Sequence, residues 1–403
     1  MSQQMLYHAF HVQGYRLLEW EFDEHKVLMH VEPQPHKVCC SVCGSREVIR
    51  HGATQRWLRN LPVGSDLTWV IVSVPRVECQ ECGVTRQIRT GLSSPRVGYT
   101  YAFARYVLAL CQLMTIQDVA RHLGVSWDLI KDIHKTFLAK RFAKPPLDQV
   151  HQIAIDEICV GKKHFLTIVL DLSTGAILFV GEGRKADTLL PFWRRVKRSR
   201  CRIEAVAVDF GKAYIAAVQR FLPEAVLVFD RFHLVQLFNE KLTQLRRDLY
   251  RQATDSLHKR VLKGTRWLLL KHSDDLDEER DERRRLEEAL ALNRDLATAY
   301  YLKEDLQQFW EQPSADAARR FLLSWYQRAL VSGIRLLQNF ARFLLAHQHG
   351  LLAWYTYPIS TGPLEGTNNK IKTLQRMHYG FRDQDYFHLR LYNLHNSKYR
   401  LVG

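Results

Sequence analysis

No stretch of 18 apolar residues occurs anywhere in these 403 residues, so no segment is expected to span a bilayer. The opening MSQQMLYHAF has no basic stretch followed by an apolar one, which argues against a secretory leader and for a cytoplasmic protein. Low-complexity segments are absent as well. Acidic residues are in deficit, 42 Asp and Glu against 58 Lys and Arg, leaving a net charge of +16. A surplus of that size makes a polyanion the expected partner, either nucleic acid or an anionic surface. The 46% hydrophobic and 25% charged fractions fit a globular chain, and the length accommodates two or three domains. Eight cysteines include two CxxC pairs, and without a leader these point to metal rather than to disulfides.

Residues 1–98 read as a first module. Cys40-x2-Cys43 and Cys79-x2-Cys82 are each followed by glycine, Gly44 and Gly83, as in two tight knuckles holding one tetrahedral Zn²⁺. Cys39 could take the place of Cys40. Between the knuckles, a turn at Pro62–Ser65 leads into a strand in which Leu67, Trp69, Ile71 and Ser73 alternate with Thr68, Val70 and Val72, giving a zinc-ribbon-like β module. Arg46, Arg50, His51, Arg56, Arg59, Arg76, Arg86 and Arg89 make it basic and suited to DNA phosphates.

Residues 99–148 carry a helix over Tyr101–Leu113 and then the cadence of a helix-turn-helix. One helix runs from Ile116 to Leu123, Gly124 makes the turn, and Ser126 caps a second helix. Val119, Ala120, Val125, Ile130 and Ile133 would pack the pair, leaving Trp127, Asp128 and Lys131 where base edges are read. Lys144–Asp148, KPPLD, is the linker.

The catalytic domain is expected over 149–403. Its opening strand, HQIAIDEICV, sets Asp156 and Glu157 among Ile153, Ile155, Ile158 and Val160. A hairpin turning at Ser173–Gly175 and a helix in ADTLLPFWRRVKR follow. Ala205–Val235 then reads strand, helix, strand: an apolar run ends at Asp209, Tyr214, Ile215, Val218 and Phe221 recur at helical spacing, and a second run ends at Asp230 with His233 three residues on. This β-β-β-α-β-α-β order is that of an RNase H-like sheet, whose parallel strands end side by side where sites form. Carboxylates gathered there need a cation, a proton or water. The alternative is that each Asp caps the helix after it.

From about 237 to 350 the pattern is a long helical insertion, with the charge run at 274–288 expected as a solvated helix face or arm, and Trp310, Phe321 and Trp325 as packing residues. Beyond it, Pro363 with Ser360 or Thr361 opens a helix whose first turn holds Glu365. Asn369 and Lys372 share the face of Glu365, and Asn368, Lys370 and Arg376 add polar and basic reach for phosphate.

The paired knuckles, the helix-turn-helix, IDE at 155–157, VDFGKAY at 208–214, FDRFHLV at 229–235 and GPLEGTNNKIK at 362–372 together resemble the ISL3 family of bacterial insertion-sequence transposases, along essentially the whole chain. The resemblance implies an RNase H-like DDE domain interrupted by a helical insertion. It implies Asp156, Asp209 and Glu365 as the three carboxylates, holding Mg²⁺ or Mn²⁺, beside a structural Zn²⁺. It matches Asp230 and His233 to an element that related transposases carry after their second Asp, and it departs at Thr361, where relatives often have Asn. The implied partners are the terminal inverted repeats and target DNA, bound by a homodimer or higher oligomer at the nucleoid. A nuclease on the same fold, or a non-catalytic DNA-binding regulator, are the alternatives. The intact carboxylates speak against the regulator, and joining of ends to a target separates transposase from nuclease.

Overall fold

A computed structural model describes residues 3–396. The chain forms two compact units: residues up to Ala143 with Met377–Leu389 make the first, and Lys144–Arg376 with the stretch from Arg390 make the second. The break at Ala143 falls at the start of the KPPLD segment. The return of Met377–Leu389 to the first unit differs from the expectation, which assigned all of 149–403 to one domain.

The first unit opens with helix α1 (Gln3–His8) and a five-stranded sheet of β1 (Tyr15–Asp23), β2 (Lys26–Pro33), β3 (Val48–Arg59), β4 (Leu67–Cys79) and β5 (Thr85–Gln87). The order is β1-β2-β4-β3, with β5 also on β4. Along β4 the side chains of Thr68, Val70, Val72 and Val74 are buried, while Leu67, Trp69 and Ser73 are only partly so. Ile71 breaks the expected alternation, because it is buried on the second face as well. The turn before β4 is closed by Val63 and Asp66 around Gly64, whose φ of 61° is left-handed.

Three helices follow, α2 (Tyr101–Leu110), α3 (Ile116–Leu123) and α4 (Trp127–Phe142). Each starts at a hydroxyl cap: Thr100, Thr115 and Ser126 accept from the backbone N–H of Phe103, Asp118 and Leu129. Helix α2 stops three residues short of the expected Leu113. Gly124 ends α3 at φ 59°, which reverses the chain into α4. Phe103, Val107, Val119, Ala120, Ile130, Ile133 and Leu138 form the core, and Tyr386 and Leu389 of the returning segment belong to it too.

The second unit is built on β6 (Gln152–Gly161), β7 (His164–Asp171), β8 (Ile177–Glu182), α5 (Leu190–Arg198), β9 (Ala205–Val208), α6 (Lys212–Phe221), β10 (Val226–Phe229) and α7 (Arg231–Gln252). The sheet order is β10-β9-β6-β7-β8, with β9 parallel to both β6 and β10 and the other pairs antiparallel. This is the RNase H-like arrangement. The short strands β9 and β10 rely on apolar β-branched runs covered by helices, and all four residues of β9 are fully buried.

Helices α8 (Ser256–Gly264), α9 (Glu282–Leu292), α10 (Arg294–Gln307), α11 (Ala315–Val331), α12 (Arg335–Ala346) and α13 (Gln348–Leu352) complete the insertion and share one core with the sheet. Trp325 is fully buried and its Nε1 donates to Leu302 O at 2.8 Å. Trp310 is buried and Phe321 half-buried, so packing accounts for the first two of these rings and for most of the third. The charge run is not one helix: α9 begins only at Glu282, which is 7% exposed and takes the Nζ of Lys271 at 2.5 Å and the N–H of Asp277 at 2.9 Å. A buried carboxylate with partners replaces part of the expected solvated face. Gly350 lets α13 approach β10, since a Cβ there would lie 2.4 Å from the Phe229 ring. Helix α14 (Gly362–Met377) follows, with Leu364, Ile371 and Leu374 buried.

Candidate functional site

Both knuckles stand at strand ends. The N–H of Gly44 returns to Cys40 O and that of Gly83 to Cys79 O, with both glycines at left-handed φ. Val48 pairs with Cys79, which sets the knuckles side by side. The sulfurs of Cys40 and Cys82 are 3.6 Å apart, those of Cys43 and Cys79 are 3.4 Å apart, and all four lie within 4.8 Å of one another. Zn–S bonds of about 2.3 Å in a tetrahedron place sulfurs about 3.8 Å apart, so this set fits zinc. Cys39 is outside the group, and the sulfur that lies with the other three is that of Cys40. The N–H groups of Cys43 and Val42 hold the Cys40 thiol down to about 6.

In the second unit, Asp156 lies in the middle of β6. Its Oδ1 accepts from Glu157 N at 2.7 Å and its Oδ2 from Asn368 Nδ2 at 3.1 Å. Burial pushes its carboxyl up to about 6; the charges of Asp209 and Glu157 add to that, while the Glu157 N–H and His233 oppose it. Asp209 follows β9, the strand beside β6, so the sheet order sets it one strand over from Asp156, where its charge is felt. Asp209 Oδ1 accepts from Gly211 N at 2.9 Å, and a Cβ on Gly211 would come within 2.8 Å of that oxygen. No side chain caps α6.

Asp230 behaves differently. It is fully buried and caps α7, with Oδ1 accepting from His233 N at 3.0 Å and Oδ2 from Thr361 N at 2.7 Å. Against burial, which raises it, the His233 ring and these N–H groups hold its carboxyl below the usual range. Its hydrogen bond also raises the His233 imidazole, to which Asp156 and Asp209 contribute at longer range. The capping alternative therefore describes Asp230 and not Asp209. Thr361, whose role the sequence left open, ties the start of α14 to Asp230, and its Oγ1 is 3.4 Å from His233 Nδ1.

Glu365 is exposed on the first turn of α14, one turn before Asn368. Among the described residues only the four cysteines bring three or more ligand atoms within 4.8 Å of one another, so Asp156, Asp209 and Glu365 do not converge to that distance. Gln375 Nε2 donates to Val160 O at 3.0 Å, a second tie between α14 and β6. The donor set of Asp156, Asp209 and Glu365 is hard oxygen, and Asn368 Oδ1 is buried with no hydrogen-bond partner, an orphan of the kind a hydrated Mg²⁺ or Mn²⁺ satisfies. Glu157 turns elsewhere: the Tyr214 hydroxyl donates to its Oε2 at 2.8 Å and lies 3.1 Å from Thr167 Oγ1, a contact the sequence did not reveal.

The basic residues divide. Arg46, Asn369, Lys372 and Arg376 are exposed, Lys370 is half-buried, and Trp127 is 39% exposed. Arg59, expected at phosphate, is 2% exposed and donates to Thr68 O and Leu123 O, so it braces the sheet against α3. Arg56 donates to Ser94 O and Val97 O at 3.2 and 2.9 Å and is likewise a brace. Lys131 reaches Asp383 at 2.9 Å beside Lys135 at 2.8 Å, and lies 5.2 Å from the Trp127 ring. No helix of the described residues is long and apolar enough to cross a membrane.

A zinc ribbon, a helix-turn-helix and an RNase H-like sheet with acidic residues on its strands are the parts of a DNA-binding protein that processes nucleic acid. Residues 153–391 match a family model described as transposase, 91–137 the helix-turn-helix domain of transposase family ISL3, and 36–82 the zinc finger of transposase IS204/IS1001/IS1096/IS1165. The chain belongs to the ISL3 family of transposases. It is 33% identical over 386 residues to the transposase for insertion sequence element IS1001 of Bordetella parapertussis, covering 94% of this chain and 95% of that one. It is 26% identical over 394 residues to the transposase for IS1557 of Mycobacterium tuberculosis, covering 89% and 86%. A more distant overlay, with the Drosophila P element transposase strand transfer complex, has a TM-score of 0.34 and 12% identity over 65% of this chain and 81% of that one.

Proposed function

We propose that this transposase binds the terminal inverted repeats of its insertion sequence and carries out divalent-ion-dependent strand cleavage and strand transfer. Asp156, Asp209 and Glu365 are the carboxylates that hold Mg²⁺ or Mn²⁺, and Cys40, Cys43, Cys79 and Cys82 the ligands of a structural Zn²⁺. The observation that carries the reading is the contrast among the acidic residues of the strands: Asp156 and Asp209 sit on neighbouring parallel strands and neither caps a helix, whereas Asp230 is fully buried and spent on capping α7 and holding Thr361 N.

Cleavage is an in-line displacement at phosphorus: a water oxygen bonds to the scissile phosphorus as the bond to the 3′ oxygen breaks, and the water's proton balances the one taken up by the departing 3′ oxygen. In the joining step that 3′ hydroxyl attacks a target phosphate, expelling the target strand's own 3′ oxygen as a hydroxyl. Bound divalent ions would supply charge neutralisation at the attacking and leaving oxygens. The chain's own part is to fix the geometry. Gly211 N and Glu157 N orient Asp209 and Asp156, Asp230 and Thr361 set the start of α14, and Asn369, Lys370, Lys372 and Arg376 offer amide and cationic groups to phosphate. Arg46, Trp127 and Lys131 contribute to DNA from the first unit, Lys131 after exchanging Asp383 for a phosphate. The working form is a homodimer or higher oligomer on DNA in the cytoplasm, at the nucleoid.

The test is nicking of inverted-repeat DNA in Mg²⁺ by Asp209→Ala and Asp230→Ala, each assayed below its melting temperature and for DNA retention. Asp209→Ala is expected to bind DNA without cutting, and Asp230→Ala to cut slowly. The opposite pattern would reverse the assignment. Joining of the cut ends to a target distinguishes a transposase reaction from nuclease action.

A further inference from the structure

Asn368 was expected to reach DNA, yet its side chain faces inward. Nδ2 donates to Asp156 Oδ2 at 3.1 Å, and Oδ1 is buried with no hydrogen-bond partner. The orientation of the amide is not arbitrary. An ionised carboxylate only accepts, so an amide turned the other way would set two acceptors against each other. With Nδ2 committed to Asp156, Oδ1 is directed away from it, and a buried amide oxygen left unsatisfied is costly. Asn368 lies one helical turn beyond Glu365 on the same face of α14. It is thus the residue through which the Glu365 helix touches the first aspartate.

We propose that Asn368 is a positioning residue of the catalytic centre: its Nδ2 locks Asp156, and its Oδ1 accepts a hydrogen bond from the hydration shell of the divalent ion. This rests on the reading that Asp156 and Asp209 hold that ion. An ion of the Mg²⁺ type keeps several of its waters, and each needs an outer acceptor. Asn368 Oδ1 is a neutral carbonyl that provides one without adding charge. The exposed Asn369 and Lys372 are left for phosphate.

The experiment measures Mn²⁺ binding to the zinc-loaded full chain by electron paramagnetic resonance, without DNA, for the wild type, Asn368→Leu, Asn368→Asp and Asp156→Ala, with inverted-repeat binding and melting in chelator recorded alongside. Loss of an outer partner typically weakens metal affinity about 10- to 100-fold. Asn368→Leu is expected to fall in that range with DNA affinity and metal-free melting unchanged, and Asn368→Asp to keep or tighten Mn²⁺ binding. Asn368→Leu binding Mn²⁺ like the wild type, while Asp156→Ala does not, would overturn the inference alone. Loss of DNA affinity with Mn²⁺ binding intact would return Asn368 to the DNA contacts. If Asp156→Ala itself binds Mn²⁺ normally, the reading of the aspartates fails and the inference with it. Should Asn368→Leu fold poorly, Asn368→Asp decides: a fall in affinity as large as that of Asp156→Ala overturns the proposal.

Discussion

Replacing Asp156 by asparagine should make the metal-free protein more stable while destroying its activity. In the folded chain burial lifts the Asp156 carboxyl from the ordinary 3.8 to about 6, so ionising it at neutral pH works against the fold. At 1.36 kcal/mol per pK unit, that difference amounts to about 3 kcal/mol. The amide introduced by Asp156→Asn could still accept from Asn368 Nδ2, but its NH2 would face Glu157 N, forfeiting a hydrogen bond worth about 1 kcal/mol. The net gain is about 1 to 2 kcal/mol, or a few degrees in the melting of the catalytic unit. The pH dependence follows from the direction of the change. A carboxyl whose folded value is raised binds its proton more tightly in the native state, so its contribution is fully present below 3.8 and is lost as pH rises through about 6. Wild type in chelator should therefore lose stability against Asp156→Asn between pH 4 and 6 and run parallel to it above. Adding Mg²⁺ should reverse the ranking, because only the wild type holds the ion tightly. Calorimetry across that pH range, with and without Mg²⁺, reads all of this. A variant that melts below wild type in chelator at pH 7, or a gap that does not change with pH, would refute the reasoning.

Three further outcomes are expected. Asp230→Ala leaves the backbone N–H groups of His233 and Thr361, and the His233 ring, without their acceptor, so it should destabilise the chain by about 3 kcal/mol or more, which denaturant melting checks. Cys79→Ser should lower bound zinc from about one per chain to near zero by elemental analysis and weaken inverted-repeat binding, while Mn²⁺ binding at the carboxylates persists. A fragment of residues 1–148 should bind inverted-repeat DNA weakly and melt early, and appending residues 377–389 through a flexible linker should restore both; equal behaviour without them would show the returning segment to be dispensable.

What the sequence revealed depended on how local the signal was. The cysteine knuckles, the caps Thr100, Thr115 and Ser126, Gly124, and the strands ending at Asp209 and Asp230 are written in adjacent residues, and the elements stand where those residues put them. The hairpin of β1 and β2 went unread because YRLLEWEFD mixes charge into an edge strand that is mostly exposed. The burial of Arg59 could not be seen either. An arginine in a basic run looks like a phosphate ligand until Leu123, 64 residues away, offers its carbonyl. Asp209 and Asp230 both end apolar runs, and beyond the local cap through His233 it is Thr361, 131 residues past Asp230, that takes up the second oxygen of Asp230. The tie of Asn368 to Asp156 spans 212 residues and was equally invisible.

The return of Met377–Leu389 to the helix-turn-helix has a consequence for synthesis. Tyr386 fills the core beside His134, with the ring nitrogen and hydroxyl 2.8 Å apart, and Asp383 joins Lys131 and Lys135. A ribosome that has finished Ala143 must add another 389 − 143 = 246 residues before the last of these is made. At roughly 5–20 residues per second that takes about 12 to 50 s, during which the whole catalytic unit is translated. The helix-turn-helix core is therefore completed late although most of it is encoded early. Chains cut short by premature termination before residue 377 would carry that core without Tyr386 and Leu389.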